Sequence, residues 1–174
     1  NQYGWSMSGY PKAPVYTKIN VTGINGASGY IASANRWDIY LNVDTMLPGN
    51  IDQMHFYNFT VQIGSKTITT WGAHSYNHTL YIPISAADLA ADCPDGTQIT
   101  IKAGKALGDD QSIGINLVKD FVIYTYRGSI FAEKPTTNTD WQEVSVSQLL
   151  RTGSYNKDAE SWQMFIKLQE ELKT

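Results

Sequence analysis

The chain has 174 residues, enough for one domain with a substantial core and short for two; charged residues make up 17% and the formal net charge is −3. That balance excludes the basic field on which nucleic-acid binding depends, and no run approaches the roughly 18 apolar residues of a membrane span. The single cysteine, Cys93, excludes an internal disulfide and a cysteine-built metal cage.

In chain order, residues 1–14 read as a linker or the tail of a preceding module. The chain begins at Asn1 with no Met and no signal-like run, which reads as a processed product or an excised module. Val15 to Thr22 then alternates with period two, placing Val15, Ile19 and Val21 on one face. A glycine-rich break from Gly23 to Gly29 follows. Arg36 to Asp44 alternates again: Trp37, Ile39, Leu41 and Val43 point inward, while Arg36, Asp38, Tyr40, Asn42 and Asp44 point outward. Leu47-Pro48-Gly49-Asn50 has the residue choice of a type II turn.

Met54 to Ile63 reads as a long aromatic strand with Tyr57, Phe59, Val61 and Ile63 on one face. Gly64-Ser65 makes a two-residue hairpin turn into Thr67–Trp71. A polar loop separates it from Leu80–Ile84, where Pro83 lacks the ladder donor and points to an edge strand. Ser85 caps one helical turn, Thr97 to Ala103 is a further strand with Ile99 and Ile101 inward, and Gly104 to Gly114 reads as a loop. Ile115 to Tyr126 holds the last strand or strand pair. Short strands without βαβ alternation predict a mainly β domain over residues 15–132, an antiparallel β-sandwich. The extension from 133 to 174 ends in an expected helix from about Lys157 to Lys173. Trp162, Phe165, Ile166, Leu168 and Leu172 would form its apolar stripe, Asn156 its cap, and it would dock on the sandwich.

The segment richest in recognition chemistry is Trp71-Gly72-Ala73-His74-Ser75-Tyr76-Asn77-His78. A sugar presents an apolar C–H face and a rim of hydroxyls, so its site needs an aromatic plate beside neutral hydrogen-bonding groups. Trp71 or Tyr76 can be the plate, with His74, Asn77 and His78 as polar partners. A solvated loop with Trp71 covering one end of the sandwich fits the same residues. Tyr40, outward on its strand, is a second exposed platform. His74 and His78 lack a third ligand nearby, so no metal site is expected there. A structural calcium has its best case at Asp109-Asp110-Gln111 and at Asp44 with Asp52, although neither has regular oxygen spacing. Asp38 and Asp44 share an outward face but stand about 20 Å apart on a strand, too far for paired glycosidase carboxylates. No catalytic motif is present, and no enzyme activity or cofactor is expected.

The stretch from Tyr16 to Tyr126 resembles the β-sandwich modules, Ig-like or jelly-roll, of secreted and surface-anchored bacterial proteins. The resemblance is carried by Arg36-Trp37-Asp38-Ile39-Tyr40-Leu41-Asn42-Val43-Asp44, by Leu47-Pro48-Gly49 and by Lys119-Asp120-Phe121-Val122-Ile123-Tyr124. It implies a secreted or cell-surface location and a carbohydrate-binding or adhesive role, with a polysaccharide or glycan and neighbouring modules as partners. Non-catalytic binding of a neutral polysaccharide through exposed aromatics is the leading expectation. A structural spacer or protein-adhesion module is the alternative.

Overall fold

The structure, a computed structural model, describes residues 12–52, 54–136, 143–151 and 154–172. The alternating segments become strands: β1 (Val15–Ile19), β2 (Val21–Ile24), β3 (Gly29–Ile31), β4 (Arg36–Val43), β5 (His55–Ile63) and β6 (Lys66–Tyr76). They are followed by β7 (Thr79–Ser85), β8 (Gln98–Ile101), β9 (Gly104–Gly108), β10 (Ile113–Leu117), β11 (Phe121–Tyr126) and β12 (Ser129–Phe131). The chain divides into two compact units, Asn1–Pro135 and Thr136–Thr174.

The first unit is mainly β and antiparallel, but it is a closed barrel and not the expected sandwich. Eight strands run β5-β6-β7-β4-β3-β12-β11-β8, and β8 returns to β5 by pairing Ile101 with Val61 and Ile99 with Ile63. The physical reason lies in the two longest flanking strands, each of which divides its far edge between two partners. β5 gives its C-terminal half to β8 and pairs Phe56 and Tyr57 with β9. β4 pairs Arg36–Asp38 with β3 and Leu41–Val43 with β2. Because β1 runs through Asn20 into β2, a second path leads from β4 through β2, β1, β10 and β9 back to β5. Both paths share the sheet β4-β7-β6-β5, whose edges are therefore never free.

Inside lies one apolar cluster. Trp37, Ile39, Leu41, Val43, Phe59, Val61, Ile99, Ile101 and Ile123, assigned inward by alternation, are all buried. The Trp37 indole N–H donates to Leu89 O at 3.0 Å, so the largest core side chain leaves no orphan donor.

Several local expectations fail for identifiable reasons. Tyr57 does not share a face with Phe59: the β5–β6 register shifts between Phe56 and Phe59, and Asn58 adopts φ 72°. That bulge keeps both phenylalanines inside and turns Tyr57 outward. The polar loop after Trp71 is strand up to Tyr76, with only Asn77 and His78 left to turn. Gly72 allows this, since a Cβ there would sit 2.7 Å from the Phe59 ring and 2.8 Å from Tyr81 O. Pro83 lies on an interior strand, β7, between β4 and β6; the β6–β7 ladder ends at Tyr81, so no donor is missed at Pro83. The glycine-rich stretch from 104 to 114 holds β9 and the start of β10. A Cβ on Gly114 would lie 2.5 Å from Ala106 O, so glycine here serves close strand approach.

The second unit contains no helix among its described residues. It holds β13 (Val146–Arg151) paired with β16 (Phe165–Leu168), and β14 (Tyr155–Asn156) paired with β15 (Ser161–Trp162). Asn156 does cap: its Oδ1 accepts the N–H groups of Asp158 and Ala159, both at 3.0 Å. The turn it starts ends at once, because Glu160 lies at φ 49°, outside helical geometry. Ile166 then pairs with Leu149, and Leu168 with Val146, a strand that the stripe reading leaves out of account. Trp5, Trp141 and the N-terminal segment through residue 11 lie outside the described residues.

Leu41 is fully buried in the C-terminal half of β4. Leu41→Ala should lower unfolding free energy by about 2–5 kcal/mol in a denaturant titration; a loss under about half a kcal/mol would show that its face is misassigned.

Candidate functional site

The outer face of the shared sheet carries a row set by strand register. Tyr40 on β4 lies opposite Tyr81 on β7, Tyr81 opposite Ala73 on β6, and Ala73 opposite His55 on β5. Alternation sends each of these side chains outward, whereas Leu41, Leu80, His74 and Phe56 beside them point in. Ala73 is the small member. Trp71, two residues away on the same face, leans into the space it leaves, as diagonal neighbours on a sheet can.

The result is a continuous aromatic strip across four strands. Ring centroids are 5.0 Å apart for Tyr40–Tyr81, 5.8 Å for Tyr81–Trp71, 5.2 Å for Trp71–His55 and 6.4 Å for His55–Tyr57. Successive planes tilt by 38°, 68°, 54° and 24°, so the strip is stepped and not flat. Trp71 is 39% exposed and Tyr57 43%.

A carboxylate fastens Tyr81 near one end of the strip and another fastens Tyr57 at the other. Asp38, buried on β4, accepts the Tyr81 hydroxyl and the Arg36 Nε–H, each at 2.6 Å. Burial, and then the hydrogen bond to Asp38, push the Tyr81 phenol well above its usual range. The hydrogen bond to Asp38 likewise raises the Arg36 guanidinium, which therefore stays charged. At the other end Asp109 accepts the Tyr57 hydroxyl at 2.6 Å and the His55 backbone N–H at 2.8 Å, with His55 Nδ1 at 3.3 Å. The Tyr57 hydrogen bond, followed by the His55 N–H, holds the Asp109 carboxyl below the ordinary carboxylate value. Tyr40 is raised mainly by burial and then by the charge of Asp38.

Of the residues singled out from the sequence, only Trp71 and Tyr40 belong to this strip. His74 faces the core: it is 4% exposed, its Nε2 lies 3.1 Å from Leu47 O, and its Nδ1 meets no partner among the described residues. Trp71 and His74 therefore sit on opposite faces of β6. Tyr76, Asn77 and His78 form the exposed β6–β7 hairpin tip, where the Asn77 carbonyl takes the Leu47 N–H and the His78 carbonyl the Val43 N–H. His55, Tyr57 and Tyr81 were missed. Outward alternation from Tyr40 would have flagged Tyr81 once β4 and β7 were paired, but the bulge at Asn58 hides Tyr57 from any period-two reading.

Beside Trp71 the sheet opens into a cleft of about 290 Å³ between β6 and β7. A larger depression of about 430 Å³ at Cys93, Pro94, Thr125 and Arg127 offers no exposed aromatic face, and its Trp37 is buried. Among the described residues no three His, Cys, Asp or Glu side chains gather as a metal set. Asp44 instead accepts the Asn20 N–H at 2.9 Å, and Asp110 those of Ser112 and Ile113 at 2.9 and 3.2 Å. No helix among the described residues is long and apolar enough to cross a membrane. No family model, curated protein or solved structure matches the chain.

Because the folded-state value of Asp109 is depressed, its contribution to stability is complete above the unfolded carboxyl value and is lost as pH falls through the folded one. Carbon-detected NMR titration should place the Asp109 midpoint below an ordinary aspartate. Asp109→Asn should make stability less steep in acid, and an unshifted midpoint would show that the Tyr57 and His55 bonds do not form.

Proposed function

We propose that the chain is a non-catalytic, extracellular carbohydrate-binding module, and that a neutral glycan lies on the outer face of the sheet formed by β4, β7, β6 and β5. The observation that carries this reading is the aromatic strip itself. Three strand intervals span about 14 Å, roughly three pyranose rings end to end. Aromatic faces of that kind suit the C–H faces of sugars, while the hydroxyls of Tyr81 and Tyr57 are already oriented by Asp38 and Asp109. Arg36 is paired with Asp38, and Asp109 is occupied by the Tyr57 hydroxyl and the His55 backbone N–H, which favours an uncharged ligand. The stepped ring planes suit one twisted chain better than the flat surface of a crystalline polymer.

A second reading, a structural spacer or protein-adhesion module, draws on the C-terminal unit. Leu149, Leu150, Trp162, Met164 and Ile166 there are exposed, with Trp162 at 78% and Met164 at 73%. Exposed apolar side chains at that density are a common mark of protein contact.

Trp71→Ala and Tyr81→Ala should abolish retention on a bound neutral polysaccharide in affinity electrophoresis. Phe131→Ala, exposed on β12 outside the strip, should retain it. Binding should change little between low and high salt, since stacking and neutral hydrogen bonds are weakly screened. Failure of the intact protein to bind any neutral glycan would hand the lead to the spacer or adhesion reading.

A further inference from the structure

The cleft beside Trp71 exists because two neighbouring strands part company. β6 and β7 are laddered only where Ala73–Tyr76 meets Thr79–Tyr81. Further along, Thr70 Oγ1 donates to Pro83 O at 2.8 Å, and Lys66 Nζ reaches Asp88 Oδ1 at 2.9 Å. These two bonds bracket the gap.

Register shows what faces into it. Ile63 and Lys66 flank the two-residue turn and form a hydrogen-bonded pair, so Thr67 and Thr69 occupy the alternate positions of the β5–β6 ladder. Their N–H and C=O groups point away from β5, toward β7, where no ladder receives them. Thr69 lines the cleft, together with Trp71, Thr70, Arg36, Ser85 and Asp88 among others. An unpaired strand edge elsewhere would invite an extended peptide. Here the Thr70–Pro83 and Lys66–Asp88 bonds cross the gap, and a cleft of about 290 Å³ suits a single small unit.

We propose that this cleft takes a single terminal sugar unit of the glycan, so that the protein reads a chain end. Resting on the glycan reading above, the inference adds direction: the end unit stacks beside Trp71, the middle ring of the strip, and bonds the Thr69 N–H, and the following units take one arm of the strip, over Tyr81 and Tyr40 or over His55 and Tyr57. The Lys66–Asp88 pair stands at the far end of the cleft. Both cations at the cleft, Arg36 and Lys66, are paired with carboxylates, which suits a neutral end unit.

The test is a ¹⁵N NMR titration of the full chain with linear tetrasaccharides of glucan, mannan, xylan and galactan. Each that binds is repeated with a bulky cap at the non-reducing end and, separately, at the reducing end. The Thr69 amide and the Trp71 indole should shift together, and one of the two caps should weaken binding about tenfold or more. Thr69→Pro removes the N–H without touching the β5 ladder and should also weaken binding, by about tenfold, while Thr69→Ala should bind as the parent does. Equal binding of both capped forms, with the Thr69 amide silent and the Trp71 indole responding, overturns end reading and leaves the strip as the glycan site. Silence of both signals with every sugar overturns the proposed function and this inference with it.

Discussion

The whole first unit depends on two strands serving more partners than one. β4 and β5 are long enough that each meets one neighbour along one edge and two successive neighbours along the other. Backbone hydrogen-bonding groups cannot be buried unpaired, so the chain must supply a strand for every exposed length of edge. Two closing paths result, and between them they hold a four-stranded sheet with both margins occupied. That sheet has no freedom to splay at its margins, and its outer face is consequently a fixed surface on which side chains keep their spacing.

Spacing alone would leave the rings free to turn. The two carboxylates reduce that freedom, since Tyr81 and Tyr57 each donate to one. Asp38 is the more demanding of the two. A buried carboxylate is costly unless neighbours compensate it, and Arg36 and Tyr81 do so at short range. Its effect is positional: a surface already ordered before a ligand arrives loses less side-chain entropy on binding. Asp109 works at the rim, more exposed, on a turn whose neighbour Asp110 caps the start of β10.

Much of the architecture could be read from period-two alternation, because burying one side of a strand forces that pattern on residues such as Trp37, Ile39 and Leu41. Closure could not, since sandwich and barrel share the same alternation and differ only in which edges meet. The bulge at Asn58 shifts the phase within a strand, and a strict two-residue period carries Tyr57 to the wrong side. Glycine misled in the opposite sense: Gly72 and Gly114 look like punctuation, yet they are selected by atoms that approach too closely for a Cβ. In the C-terminal unit a helical stripe and two nested antiparallel ladders want the same apolar residues. Glu160 at positive φ decides for the ladders. For the site, Trp71 and Tyr40 were visible as outward aromatics, whereas their companions came from other strands and only pairing brings them together.

The parallel contact between β1 and β10 carries a consequence for how the molecule assembles. Val15 pairs with Ile113, so the first strand has no ladder on that side until most of the barrel sequence has been made. Contacts so distant along the chain carry a loop-closure entropy that local hairpins such as β5–β6 avoid. On the ribosome β1 meets its β10 ladder only after Leu117 has emerged, whereas β2, which continues directly from it, has β4 as a partner about twenty residues on.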